Sequence, residues 1–402
     1  MAKESYQRSR EAEKLHVQKI GHTEWLRSKP FLARNGLDVD RALTEIQVFA
    51  ALVENLPFGP GARILDVGAG PCWVSEWLQK LGYATISCDL AHDMLRVGQG
   101  RLRPGSSLVA GDMAALPLAD ASVDGVVCYG ALHHVPNWPE AVAEFHRVLR
   151  PHGVLVLQEP GRGHAQQAES IAQMEQFGVL EQDLPPRTLR RACLGAGFSN
   201  AWIRPLNGTL GHGRLRIMPA YPFLRAAPRL FLKKRLSRWR CAVLEHGLNM
   251  LAPMHLVVAA KGVIWADSLR PETMVARFQR VELPVVVPPD QTFPVELELL
   301  NTGLTRWRAE AIRDGMGHVR VGVSCLHASD GTLKDLDYAR IALPRDLPPG
   351  ERLKLAARLP CLPAGEWILR FDMVAEGLFW FANKGSRTVS RTIIVTTDAP
   401  PV

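Results

Sequence analysis

Three sets of residues in this chain are spaced as chemistry would need them. Gly68 and Gly70 lie in "ILDVGAGPCW" (64–73), after the apolar run Ile64, Leu65, Val67 and before Trp73–Leu81, which reads as a helix. A strand, a glycine-rich turn and a helix N-terminus form a ready site for a nucleotide-like ligand. The second set is acidic. Asp66 precedes the glycines, Asp89 of "SCDL" follows Gly70 by 19 residues with Leu90 beside it, and Asp112 and Met113 sit in "AGDMAALPL". The third set can take protons: His133 and His134 in "GALHHVP", Glu159 in "LQEP" and His164 in "PGRGH". Histidine is the natural base near neutral pH.

Such residues act together only if regular elements bring them to one place. Residues 1 to about 45 read as polar and irregularly helical, and a helix follows over Asp40–Leu56, with Leu43, Ile46, Phe49, Ala50 and Val53 at helical spacing. Strands and helices then alternate: "RILDV", "WVSEWLQKLG", "ATISCDL", "AHDMLRVGQGRL", "SSLVAGDM", "VDGVVCYGAL", "PEAVAEFHRVLRPHG" and "GVLVLQEP". "TLRRACLGAGF" is a further helix, and "SNAWIRPL" and "MHLVVAAKG" are two last strands. This alternation predicts an α/β domain, doubly wound, with helices on both faces of a mainly parallel sheet. Ligands bind such sheets at the carboxyl ends of the strands, where the candidate residues fall.

With the motifs in view, residues 63–160 resemble a class I S-adenosylmethionine-dependent methyltransferase of the small-molecule, type-11 group. "ILDVGAGPC" is similar to that family's first motif, and "LADASVDGVV" and "YGALHHVPNWPEAVAEFHRVLRPHGVLVLQEP" complete its pattern. The resemblance implies a Rossmann-like fold and S-adenosylmethionine as cofactor. It implies that the turn at Gly68 and Gly70 approaches the methionine end and that Asp66 helps hold the amino-acid moiety. On the same ground Asp89 takes the ribose hydroxyls, and Asp112 and Met113 meet the adenine. Cys72 stands where the family's third glycine is usual. Methyl transfer is an in-line displacement in which positioning does much of the work, and a hydroxyl nucleophile must lose a proton. His134, His164 and Glu159 are the candidate catalytic groups. His133 is expected behind the cofactor or at the substrate. "EPGRGHAQQAESIAQMEQFGVLEQDL" resembles a loop and helix of methyltransferases encoded with bacterial surface-polysaccharide enzymes. His164, Glu169, Ser170 and Glu175 are therefore candidate substrate contacts, with a solvated amphipathic helix as the alternative for the two glutamates.

The chain has 402 residues, 47% hydrophobic and 22% charged, which suits two globular domains. Its N-terminus does not read as a signal peptide, and it holds no run of 18 apolar residues. None of its seven cysteines forms a CxxC pair, which argues against structural zinc and fits a reducing cytoplasm; no metal is expected. Of the net charge of +8, nine positive charges and no negative one lie in Arg214–Arg240. That segment lacks a recognisable nucleic-acid module, so nucleic acid is not expected as a partner. Its interleaved Leu, Phe, Tyr and Trp residues suit a substrate lid with peripheral contact to membrane or lipid phosphate at the inner face.

Past Ile264 the pattern changes to alternation. "FPVELELLN" puts Phe293, Val295, Leu297 and Leu299 on one face, and about seven such strands between Pro/Gly turns predict an all-β sandwich. "NTGLTRW" and "EGLFWFANKG" resemble pieces of Ig-like sandwich domains, some of which, in polysaccharide biosynthesis, bind carbohydrate. Trp307 and Trp367 are expected in the core and Trp380 is a candidate sugar-stacking residue. The expected organisation is a methyltransferase domain over 1–265 with an insertion at 205–250, a linker over 266–282 and the Ig-like sandwich over 283–398. The expected function is O-methylation of a sugar hydroxyl in polysaccharide or lipid-linked glycan assembly. The alternatives are a lipophilic acceptor of quinone or polyketide type, or a non-catalytic scaffold for glycan assembly.

Overall fold

A computed structural model describes residues 2–20, 24–33, 36–37, 39–206, 255–268, 274–311 and 315–399. The basic segment 214–240, with nearly all of the expected insertion at 205–250, lies outside the described residues. The chain forms two units, Met1–Leu56 with Ala62–Ile264, and Pro57–Gly61 with Trp265–Val402.

The first unit opens with helices α1 (Ala2–Ile20) and α2 (Glu24–Ser28), a hairpin of β1 (Leu32–Ala33) and β2 (Gly36–Leu37), and helix α3 (Val39–Glu54). The alternating part follows as β3 (Arg63–Val67), α4 (Trp73–Lys80), β4 (Ala84–Asp89), α5 (His92–Gln99), β5 (Ser107–Ala110), β6 (Val123–Tyr129), α6 (Trp138–Val148) and β7 (Leu149–Gln158). Helices α7 (Ala168–Phe177) and α8 (Pro186–Gly195) and strands β8 (Asn200–Pro205) and β9 (His255–Ala260) complete it. The seven strands lie in the order β5-β4-β3-β6-β7-β9-β8. The first five are parallel, and β9 runs antiparallel to both neighbours. Ile64, Leu65 and Val67 are buried, as a strand covered on both faces requires. Behind β3, β6 and β7 the core gathers Val126, Phe145, Leu155, Leu157 and Leu189.

The α6 helix ends at Val148, short of the Gly153 that the sequence suggests, and β7 starts at the next residue. Pro151 cannot continue a helix. His152 has a left-handed φ of 67°. A Cβ on Gly153 would come within 2.8 Å of Leu149. The chain therefore turns back into the sheet as soon as the buried face of α6 is complete.

The second unit contains β10 (Ala266–Asp267), β11 (Ala276–Glu282), β12 (Val286–Val287), β13 (Phe293–Asn301), β14 (Thr305–Arg306) and β15 (Val319–His327). It continues with β16 (Leu333–Ala342), β17 (Arg352–Leu359), β18 (Gly365–Ala375), β19 (Phe379–Trp380) and β20 (Val389–Val395). One sheet is β11-β13-β17, a second is β12-β20-β18-β15-β16 with β19 beside β18, and both give residues to one core. The expected linker over 266–282 is therefore corrected: it holds β10, and β11 is paired along β13. The strand went unseen because its fully buried residues, Ala276 and Val281, are five positions apart and do not alternate regularly with exposed ones. Phe293, Val295, Leu297 and Leu299 are buried as their spacing requires. In "NTGLTRW" the Asn301 amide donates to the carbonyls of Thr305 and Leu347, 2.9 Å each, which closes the turn. Trp307 is fully buried and Trp367 nearly so. Trp380 lies under the Arg340 guanidinium, 4.5 Å from its ring centre, and a Cβ on Gly322 would overlap the ring. Those contacts occupy surfaces that a sugar ring would need.

Candidate active site

The carboxyl ends of β3, β4, β6 and β7 open into a cavity of 610 Å³, within the range of small-molecule sites. Its floor is the turn after β3. Gly68 has φ 70° and Gly70 φ 50°, a region that disfavours side chains. The two glycines serve different needs. A Cβ on Gly68 would overlap the Ala131 methyl, so close approach of the loop after β6 excludes one. No atom lies within 4 Å of a Cβ on Gly70, so that position faces open space. Cys72, in place of a third glycine, has a left-handed φ of 59° and is fully buried beside Gly98 of α5. Burial pushes its thiol up to about 12, so it is an inert filler.

Asp89 ties this turn to β4. One carboxylate oxygen accepts from Gly70 N–H at 2.7 Å and the other from Ala91 N–H at 2.8 Å. Burial still pushes its pKa upward. Asp89, Leu90, Asp112 and Met113 all line the cavity. Asp112 accepts from Ala114 N–H at 2.9 Å and pairs at 3.0 Å with Arg10 of α1. Asp66 points elsewhere: its carboxylate is buried, accepts the Ser75 hydroxyl at 2.6 Å and does not line the cavity. Burial, opposed by that bond, raises its pKa to about 7. Its side chain anchors α4 beneath the turn.

The candidate proton-accepting residues lie in one cluster of contacts around Glu159 and Glu181. Glu159 accepts from the N–H groups of Ala131, Leu132 and His133 at 3.1, 2.8 and 3.2 Å and from His133 Nδ1 at 2.7 Å. Burial alone would raise its pKa, but these bonds and the His133 charge hold it below the usual carboxylate value. Glu159 does not line the cavity, and with both oxygens engaged it positions the loop. On its other side His133 Nε2 lies 3.4 Å from Glu181. Burial opposes its charge, but the two glutamates raise its pKa to about 9. His134 bonds the Leu180 carbonyl through Nδ1 at 2.7 Å. Burial, reinforced by charged His133, lowers its pKa to about 4. His164 Nε2 is 2.7 Å from Glu181 Oε2, and the buried Ser170 hydroxyl is 3.5 Å from the same ring. Glu181 thus gathers three histidines and, despite burial, has its pKa lowered to about 2. His133, His134 and Glu181 bring polar atoms within 4.8 Å of one another; Glu159 and the Leu180 carbonyl hold the two Nδ1 atoms, and His164 shares the Glu181 carboxylate. Glu169 lines the cavity near Arg41, whereas Glu175 is exposed and does not.

Sequence reasoning missed several residues of this cavity. Glu13 and Arg10 come from α1, and nothing in that charged helix marks them. Glu181 lies in the connection after α7, inside the quoted stretch that ends "GVLEQDL", but was not singled out there. Tyr129, hydrogen-bonded to Glu45, did carry a signal, since it ends β6 at the side where ligands bind. Burial, then Glu45, keeps its phenol protonated.

The open cradle at Gly70, the bonded Asp89 carboxylate and Asp112 beside Met113 fit a nucleoside with an amino-acid end, as in S-adenosylmethionine. Residues 65–157 match the family described as "Methyltransferase domain". A demethylmenaquinone methyltransferase of Renibacterium salmoninarum is 42% identical over 100 residues, 25% of this chain and 42% of that protein. A malonyl-[acyl-carrier protein] O-methyltransferase of Serratia marcescens is 32% identical over 139 residues, 33% of this chain and 52% of that protein. The chain thus spans about half the length of the curated relatives it matches. A solved S-adenosylmethionine-dependent methyltransferase of Mesorhizobium loti superposes with a TM-score of 0.37 at 22% identity, over 52% of this chain and 95% of that one.

Proposed function

Taking residues 65–157 as an S-adenosylmethionine-dependent methyltransferase domain, we propose that the chain O-methylates a hydroxyl of a polar, sugar-like acceptor, as polysaccharide or lipid-linked glycan assembly would supply. When bound, the cofactor offers an electrophilic methyl on a good, neutral leaving group. The chain's own residues hold the turn, orient the acceptor and take its proton. His164 is the assigned base. With Glu181 on Nε2, the imidazole keeps its proton there and leaves Nδ1 as the acceptor. His134, with its pKa near 4, is the poorer proton acceptor at neutral pH.

The observation that carries this reading is the polarity of the cavity wall made by α1, α7 and the loops after β6 and β7. It presents Ser9, His164, Gln167, Ser170 and Gln173. An apolar acceptor would leave such groups unpaired, which costs about 1–3 kcal/mol for each buried one. A second reading follows from Trp73 and Tyr129, which line the cavity with ring centres 5.4 Å apart, and from the quinone named for one relative. Methyl transfer from labelled S-adenosylmethionine to isolated glycan intermediates, with a demethylated quinol alongside, decides between them. Label on the glycan supports the proposal, and label on the quinol alone contradicts it.

We assign the second unit to the Ig-like class, as the module that holds the glycan or a partner protein. We assign 214–240 a peripheral contact with lipid phosphate. Co-sedimentation with anionic but not neutral vesicles tests that contact. Among the described residues no helix is long and apolar enough to cross a membrane.

A further inference from the structure

We infer that Glu13, on the N-terminal helix α1, is the carboxyl by which this chain tells the sulfonium cofactor from its neutral thioether product. The inference rests on the reading of the cavity as the cofactor site. Three observations carry it. Glu13 lines the same cavity as Gly70 and Asp89. Its Oε1 is buried without a hydrogen-bond partner, an acceptor with nothing to accept from. Asp89, at the end of β4, acts on its charge, and His134, in the turn after β6, has its Nδ1 3.6 Å from Glu13 Oε1. Both neighbours line the same cavity.

Helix α1 is fixed over the cavity at both ends of the relevant stretch. Arg10 pairs with Asp112 at 3.0 Å, one turn before Glu13. Gln18 donates to Asp93 of α5 at 2.9 Å, and the Lys19 ammonium donates to the Phe177 carbonyl of α7 at 2.8 Å. Glu13 therefore reaches the cavity from a held position.

The charges around it give the carboxyl its selectivity. Facing it are Asp89 from the end of β4, His133 and His134 from the turn after β6, and Glu181 from the connection before α8. Arg10 on its own helix is engaged with Asp112. Burial, followed by Asp89, raises the Glu13 pKa to about 8, with His133 opposing and Glu181 adding to the rise. Without a cation the carboxyl keeps its proton at neutral pH. A sulfonium entering the cavity favours the carboxylate, and the proton goes to solvent. The thioether product carries no charge and leaves the carboxyl protonated. Methyl transfer thereby removes the charge that held the cofactor, which favours exchange of product for new cofactor.

The test is calorimetric titration of S-adenosylmethionine and S-adenosylhomocysteine into wild type and Glu13→Gln, in two buffers of different ionisation enthalpy. In wild type, S-adenosylmethionine should release a proton at pH 7 and bind more tightly as pH rises from 6 to 8, and S-adenosylhomocysteine should do neither. Glu13→Gln should weaken S-adenosylmethionine about tenfold, the effect of one partly screened charge pair, and abolish the proton release. It should leave S-adenosylhomocysteine within about twofold. Equal weakening of both ligands would make Glu13 a structural residue and overturn the inference. So would unchanged binding or persistent proton release. Gln18→Ala, which loosens α1 without touching the carboxyl, should affect both ligands alike. A folded wild type that binds neither ligand would fail the cofactor reading itself, an outcome distinct from all of these.

Discussion

Adjacent histidines in this cavity are driven apart by their surroundings. His133, between Glu159 and Glu181, is raised to about 9, and His134, buried beside that charge, is lowered to about 4. Opposed environments of this kind separate roles. His133 is a fixed cation that holds the loop, and the proposed function gives the proton to His164. His164→Gln should lower kcat by about a hundredfold or more, with S-adenosylhomocysteine affinity unchanged, as single-turnover kinetics and calorimetry would read. The His133 shift also has a stability consequence. A pKa raised in the folded state gives a contribution that is complete below the unfolded value of 6.5 and lost as pH rises through about 9. Glu13 and Asp66, raised to about 8 and about 7, act in the same direction at lower pH. The melting temperature should therefore fall between pH 7 and 9.5, and His133→Gln should flatten that fall. At this scale the sequence placed Asp89, Asp112, His133, His134 and His164 because strand ends mark them. It could not place Glu13 or Glu181. Their roles come from contacts across 121 residues to His134 and 17 residues to His164, and no local pattern encodes those.

At the scale of elements, the turn after β3 depends on two glycines for different reasons. Gly68→Ala must displace Ala131 as well as hold a positive φ, and should cost about 2–4 kcal/mol and lower the melting temperature by several degrees. Gly70→Ala meets no atom and should cost only about 1–2 kcal/mol of backbone strain. Its methyl would enter the open side of the cradle, so S-adenosylhomocysteine affinity should fall although the fold persists. Thermal melts and calorimetry on the two variants separate these effects, and similar behaviour in both would contradict the assignment. The parallel core and its helices were legible because continuous apolar runs and helical spacing alternate without interruption. The end of α6 was read too late because Pro151 lies three residues past the stop. Strand β11 was missed because exposed Arg277, Gln279 and Arg280 blur its alternation.

At the scale of the whole molecule, each unit has its own core, one around Phe145 and Leu155 and the other around Phe293, Trp307 and Phe371. A ligand that binds only the folded first unit at a hundred times its Kd should stabilise it by about 2.7 kcal/mol. Hydrogen exchange with S-adenosylhomocysteine should accordingly slow in β3, β4 and α5, and remain unchanged in β13, β15 and β18. The two-unit organisation and the end of the first unit at Ile264 were legible from the change of period there, whereas the start of the second unit's strands was read too late because β11 alternates poorly. The central claim is that the cavity at Gly70, Asp89 and Asp112 takes S-adenosylmethionine. Calorimetric titration of that cofactor and of S-adenosylhomocysteine into wild type and Asp89→Ala tests it most directly. Micromolar binding by wild type (about −8 kcal/mol) that the variant loses is the predicted result. A folded wild type that binds neither ligand, or an Asp89→Ala protein that binds as well as wild type, would contradict it.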